Sequence, residues 1–406
     1  MSALGGLRVV DMGWVLAGNI VGGILADFGA EVIKVESHTH LDPAREGRPI
    51  IGDELDPEQS PMFHNAARGK RSMLVDIKRE AGRELVRRLV AVSDIFIENM
   101  TPHALNDAEL SYEHLRKVNP RIIMISFPMA PRNGPFEDLR GYGPTAGSLV
   151  GLDSLAGYAD EPKPLGFGFP LGDPNAALHG VLALLAAVEH RRVTGEGQYI
   201  QTSMWETLVT QLAYPLMDYT MNKRVAKPNG NGHPTLVPHG IYPCVADGEM
   251  DKWISIAVGT DAEWSSLCEV LGDRVLAADR RFATAGGRRA NEDELNAAIG
   301  LWTSKRTQAE AAEALQQAGV AAMPCLDQEG RFFNEHLAAR ECFVYVDHPV
   351  LGSEPLYNTP IKLSESPGGV QGPAPRMGQD TESVCREILG LSRQEVDELM
   401  SSKVLF

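Results

Sequence analysis

The carboxylate best placed for chemistry in this chain is Asp173. It follows an apolar, glycine-rich stretch, Leu165–Gly172 (LGFGFPLG), and opens the clearest helical pattern in the sequence. Apolar residues recur after it at Ala177, Leu178, Val181, Leu182, Leu185 and Val188. Pro174 sits at a first-turn position and Gly195 lies beyond the end. An Asp before such a run is most often a helix N-cap. The same position favours the ionised carboxylate, through the helix dipole and unpaired N–H groups. An ionised carboxylate is also a nucleophile, and glycines ahead of it let a ligand approach the backbone. On local sequence both uses stand.

Other catalytic constellations are missing. There is no G-x-G-x-x-G, no G-x-x-x-x-G-K-[ST], no H-E-x-x-H and no G-x-S-x-G. Glu36 lies about 20 residues after the first turn, where a ribose-binding acid would sit. The turn itself, Gly13-Trp-Val-Leu-Ala-Gly18, is wrong for a dinucleotide pyrophosphate. His38 and His40 are the closest approach to a metal pair, and two ligands are too few, so no metal is expected.

Composition narrows the class. Lys and Arg number 38 against 54 Asp and Glu, a net charge of −16, which argues against nucleic-acid or anionic-membrane partners. The five cysteines are widely spaced with no C-x-x-C, which suggests a reducing, cytoplasmic setting. No apolar run reaches the ~18 residues of a membrane span, and the first residues do not read as a secretion signal.

The elements that must position Asp173 read as alternating strands and helices. Leu7–Asp11, Glu31–Glu36, Ser72–Ile77, Asp94–Glu98 and Arg121–Phe127 read as strands; Ala17–Phe28, Glu80–Val92 and Glu109–Val118 read as helices between them. This pattern predicts a parallel sheet covered by helices. Residues 128–170 are Gly/Pro-rich and read as loops; Val181–Val188 reads as a buried helix. The expected organisation is a first large-domain part over 1–222, a linker over 223–238, a small α+β domain over 239–330 opened by a hairpin, and a return segment over 331–406. Strands are expected in that segment at Phe343–Val346 and Ile361–Leu363.

Taken in order, several stretches resemble the class III CoA-transferases, the family of formyl-CoA:oxalate and carnitine CoA-transferases. They are GLRVVDMG (6–13), LADFGAEVIKVE (25–36) with Arg45, GKRS (69–72), DIFIEN (94–99), NPRIIMIS (119–126), GDPNAALHG (172–180) and APRMG (374–378). The resemblance implies that Asp173 is the nucleophile. It would attack an acyl-CoA thioester to give an anhydride and then an aspartyl-CoA thioester, moving CoA from the donor to a free carboxylic acid. It places Val15, Leu16, Val75, Lys78, Asn99, Met100 and Arg140 at the CoA, with Arg45, Lys70 and Arg71 as further sources of positive charge.

Leu16 replaces a Gln of the formyl-CoA enzymes, which argues against that substrate pair. Asn106 and Asp107 stand where the family carries a phosphate-binding Arg. Gly230–His233 matches in position a glycine loop that covers the site in some members. Trp14, Phe167 and Phe169 suggest room for a bulky acid. The implied fold is a Rossmann-like large domain built from both chain ends, a smaller inserted α+β domain, and an interlocked homodimer; a heteromer with a paralogous subunit is the alternative. Three other functions compete. An α-methylacyl-CoA racemase needs a second base, yet residues 126–152 hold no His. The others are a non-catalytic subunit of a heteromer and a nucleotide-dependent oxidoreductase.

Overall fold

The computed structural model describes residues 2–53, 55–139, 141–161, 163–166 and 168–406. Its main sheet grows from short strands, buried on both faces except at the half-buried edge strand Tyr199–Gln201, as a parallel sheet under helices requires. They are β1 (Arg8–Met12), β2 (Glu31–Glu36), β3 (Arg71–Leu74), β4 (Ile95–Glu98), β5 (Ile123–Ser126) and β6 (Tyr199–Gln201). All neighbours pair in parallel, in the order β3-β2-β1-β4-β5-β6. This is the doubly wound order whose ligand crevice opens between β1 and β4, at the carboxyl ends of the strands.

Helices in this part of the chain are α1 (Ala17–Asp27), α2 (Pro61–Ala67), α3 (Glu80–Ala91), α4 (Pro102–Asp107), α5 (Tyr112–Val118), α6 (Gly143–Leu149), α7 (Gly172–Thr194), α8 (Met204–Val209) and α9 (Ala213–Asn222). Alternate strand residues feed two cores. Val10, Met12, Ile33 and Phe96 face α3, α5 and the C-terminal segment, where Val384, Leu391 and Leu405 return to the sheet. Val9, Val32, Ile95 and Ile123 face α1 and α7. Each fully buried side chain of this size contributes roughly 1.5–3 kcal/mol of transfer free energy.

The chain forms two compact units. One comprises residues 1–153, 166–225 and 340–406; the other comprises 154–165 and 226–339. The second holds an antiparallel sheet of β7 (His239–Pro243), β8 (Trp253–Ala257) and β9 (Ala321–Pro324). Its helix Asp261–Leu271 opens on the capping box formed by Thr260 and Glu263. In the first unit, β10 (Phe343–His348) pairs antiparallel with β11 (Gly352–Tyr357).

Four expectations differ. The stretch 128–170, read as loops, carries the helix α6, with Thr145 Oγ1 accepting from the Tyr142 amide at its start. The helix over 109–118 is broken: Glu109 has φ 54° and α5 starts only at Tyr112. A continuous helix would turn Leu110 and Leu115 about 140° apart, whereas the break buries both. Ile361–Leu363 forms no strand; both named residues are exposed, and β11 supplies the partner for β10. Finally, α7 is apolar on two sides. Ala177, Leu184 and Ala187 face the core, while Leu178, Leu182 and Leu185 are exposed.

Candidate active site

The turn from β1 into α1 is unusual in how its backbone is satisfied. Gly13 N–H donates to Asp11 Oδ1 at 2.8 Å, and Gly13 O accepts from Lys34 Nζ. Trp14 N–H donates to Asn99 Oδ1 at 2.7 Å, and Trp14 O accepts from Asn99 Nδ2 at 2.8 Å. Val15 N–H donates to Asp42 Oδ1 at 2.8 Å, and Val15 O accepts from Asn19 Nδ2 at 2.9 Å. All six polar groups of three successive residues are therefore held by side chains. Val15 has φ 56°, a left-handed conformation that a β-branched residue rarely adopts. Gly13 and Gly18 lie face to face, and a Cβ on Gly13 would come within 2.5 Å of Gly18 Cα.

The clamps are themselves buried ion pairs. Lys34 binds Asp42 at 2.9 Å and Lys70 binds Asp11 at 2.7 Å, with side-chain exposures of 1% or less. Burial works against the Lys34 ammonium, but Asp42, Asp11 and Glu36 outweigh it and hold its pKa above the ordinary value. Burial likewise opposes the Asp42 carboxylate, yet Lys34 and the amides of Ala44 and Val15 hold it low. Lys70 is pushed down to about 8, chiefly by burial, with Lys34 adding repulsion and Asp11 opposing it. Desolvation of such pairs is costly, so losing one partner is severe.

Asp173 does not cap its own helix in the expected way. α7 starts one residue earlier, at Gly172, and Leu171 occupies the capping position without a side-chain bond. The Asp173 carboxylate, 5% exposed, instead has the N–H of Ala17, the first residue of α1, near enough to favour its anion, while its own amide donates to the Pro170 carbonyl at 3.2 Å. It thus lies at the N-termini of two helices, which favours the anion. Burial is the larger effect and raises its pKa from 3.8 to about 6. Gly143, the first residue of α6, lies against Oδ2, where any Cβ would collide with it.

A cavity of about 510 Å³ opens at the carboxyl ends of β1 to β4. Trp14, His40, Val75, Lys78, Asn99 and Met100 line it. Four sequence-predicted residues, Val75, Lys78, Asn99 and Met100, therefore meet there. The Trp14 and His40 rings lie 4.8 Å apart on its wall. Trp14 and Ala17 are three residues apart, so at most about 11 Å of Cα path separates the cavity wall from the amide that faces Asp173. Val15 and Leu16 occupy the turn between.

The remaining predicted cations are placed differently. Arg45 is fully buried, and its N–H groups go to Glu36, Glu58 and the carbonyls of Pro57 and Pro375, at 2.8–3.3 Å. Its guanidinium also covers the Phe63 ring at 3.7 Å. Those five bonds use all five of its donors, so its place is structural, tying the end of β2 to distant chain. Lys70 is spent on Asp11 and Asn19, and Arg71 on Glu31 and Ser383. Lys78 is exposed and lines the cavity, as does Asp107. Arg140 and Phe167 lie outside the described residues.

His38 packs against Phe406 and His40 against Trp14, so that pair does not converge. A different cluster does: His64, His348 and Glu354, all buried, offer atoms within 4.8 Å of one another. Their hydrogen bonds do not suit a metal. His348 Nδ1 accepts from the amides of Val350 and Leu351, which leaves the proton on Nε2. A metal-bound imidazole gives its bare nitrogen to the ion and donates from the other, whereas here the bare nitrogen of His348 is taken by two amides. His64 Nε2 faces the Glu58 carbonyl at 3.0 Å and Nδ1 lies 2.7 Å from Glu354, so both ring nitrogens of His64 already have protein partners.

The clamp residues Asn19, Lys34 and Asp42 were not singled out by the sequence. The signal available was a polar Asn inside an otherwise apolar helix start, and Asp42-Pro43, an N-cap pattern that forms as such ahead of a short turn of helix.

A sequence model described as CoA-transferase family III matches residues 4–381. The chain belongs to that family. Curated relatives agree. A probable CoA-transferase of Mycobacterium tuberculosis is 34% identical over 99% of this chain, which spans only 50% of that protein. A succinyl-CoA–D-citramalate CoA-transferase of Chloroflexus aurantiacus is 32% identical over 98% of this chain and 97% of its own. Among solved structures, a CaiB/BaiF family protein from Brucella suis superposes with a TM-score of 0.86 at 33% identity, covering 95% of this chain and 99% of that one. The chain thus holds the buried Asp173 carboxylate three residues of turn away from the wall of a cavity of about 510 Å³. Among its described residues no helix is long and apolar enough to cross a membrane.

Crowding at Gly143 gives a direct test. Gly143→Ala forces a methyl group onto the Asp173 carboxylate, and a displacement near 1 Å there is expected to lower turnover about 100-fold. Steady-state rates with circular dichroism of the folded variant measure this; an unchanged rate would show that the contact has no part in the reaction.

Proposed function

We propose that the protein transfers CoA from an acyl-CoA donor to a free carboxylic acid, with Asp173 as the covalent nucleophile. The observation that carries this reading is a desolvated carboxylate at two helix N-termini, one turn away from a large crevice. An Asp173 oxygen attacks the thioester carbonyl, the C–S bond breaks, and CoA thiolate leaves with the electron pair. The thiolate attacks Cγ of the resulting anhydride, and the donor acid departs as its carboxylate. The acceptor carboxylate attacks the aspartyl thioester and expels CoA thiolate. That thiolate then attacks the acyl carbon of the new anhydride and frees Asp173.

The Ala17 amide supports the developing oxyanions, and a 5% exposed carboxylate keeps water from the anhydride. Val75, Lys78, Asn99 and Met100 are the proposed nucleotide contacts, Val15 and Leu16 approach the reacting end, and Arg140 meets phosphate. The relatives named for succinyl-CoA favour a dicarboxylic donor for this chain too.

We also propose a homodimer as the working form. Leu178, Leu182 and Leu185 expose a contiguous stripe on α7, with Leu216 and Met217 exposed on α9. Light scattering is expected to give twice the chain mass, and a single-chain mass contradicts it.

Incubation with succinyl-CoA, quenching with hydroxylamine and peptide mass analysis are expected to find modification at Asp173. Asp173→Ala should lose both label and turnover, whereas label elsewhere overturns the assignment. The reactive form is the carboxylate, and its pKa is raised to about 6. Activity on the free enzyme (kcat/KM) should therefore be flat above that value and fall about tenfold per pH unit below it. A limb near 4 would mean an ordinary, solvated aspartate.

A further inference from the structure

Asp42 stands outside the crevice, in the segment after β2, yet it is the most heavily used carboxylate in this region. Oδ1 accepts from the amides of Val15 and Ala44, at 2.8 and 2.9 Å. Oδ2 accepts from Asn19 Nδ2 and Lys34 Nζ, at 2.7 and 2.9 Å. Asn19 in turn holds the Val15 carbonyl, and Lys34 holds that of Gly13. One 2% exposed aspartate therefore fixes Val15 at its amide directly and at its carbonyl through Asn19.

Val15 is the strained residue of the turn, with φ 56°. A β-branched side chain enters that region only where its surroundings compel it. Two residues later comes Ala17, whose N–H faces the Asp173 carboxylate and favours its anion. If Val15 relaxed to ordinary backbone, the start of α1 would turn and that amide would leave Asp173. Burial would then act on the carboxylate without that amide.

We propose that Asp42 is a positioning residue for CoA transfer: it holds Val15 in left-handed backbone and so aims the Ala17 amide at Asp173. This rests on Asp173 being the nucleophile. It assigns to a buried aspartate and its lysine a part in the reaction without any contact to substrate.

The test measures the single-turnover rate of Asp173 acylation by succinyl-CoA. Asp42→Asn is expected to slow acylation about tenfold to 100-fold, with little change in the succinyl-CoA concentration giving half the maximal rate. Glycine adopts positive φ without strain, so adding Val15→Gly to Asp42→Asn should recover about tenfold of the loss. A loss from general weakening of the core would not be recovered this way. Acylation of D42N at the wild-type rate, or no gain in the double variant, overturns the proposal.

Should D42N fail to fold, Val15→Gly and Val15→Pro in the presence of Asp42 decide the matter. Proline cannot take φ 56° and lacks the donated N–H, so it should acylate at least about 100-fold slower than glycine; equal rates overturn the proposal. A wild-type protein with no label on Asp173 overturns the nucleophile and this proposal together. Label on wild type with equal D42N rates overturns this proposal alone.

Discussion

Gly13, Trp14 and Val15 make no ladder or helix hydrogen bonds, yet none of their polar groups is left unmet. Asp11, Asn19, Lys34, Asp42 and Asn99 supply every partner, reaching in from β1, α1, β2, the segment after it and the end of β4. Leaving one such buried group unpaired would cost roughly 1–3 kcal/mol. The turn is thereby held in one shape by parts of the chain that meet only once the sheet is assembled. The crevice wall at Trp14 and the donor at Ala17 are two ends of this same short segment.

What that segment controls is electrostatic. Two helix N-termini favour an ionised Asp173, each by roughly 0.3–1 kcal/mol in ordinary settings and up to about 2 when partly buried. Burial wins nonetheless. A pKa near 6 in place of 3.8 corresponds to about 3 kcal/mol against the anion. The carboxylate is still mainly ionised at neutral pH, but it is poorly solvated. Reaction with a thioester carbonyl spreads its charge, so the desolvation already present in the ground state need not be added on the way to the transition state.

Much of the scaffold was legible because it is written locally. EVIKVE, read as a strand, is one from Glu31 to Glu36, and the Thr260–Glu263 capping box opens its helix as that spacing requires. The parallel sheet followed from alternation, whereas its strand order depends on pairings that no local pattern encodes. The same holds for the site. Asp173 stood out, but its partner did not, because Ala17 lies 156 positions earlier and contributes only a backbone amide. Arg45 looked like a ligand cation, and its carboxylate partners Glu36 and Glu58 bury it instead. Glu109 broke an expected helix because Leu110 and Leu115 both had to reach the core.

A crystal structure of the protein with CoA bound tests the central claim most directly. The account places the adenine in the crevice beside Val75 and Asn99, and the sulfur within about 3.5 Å of the Asp173 carboxylate, with residues 13–17 and their side-chain partners unmoved. Sulfur remote from Asp173, or a turn that rearranges and gives up its bonds to Asp42 and Asn99, would contradict it.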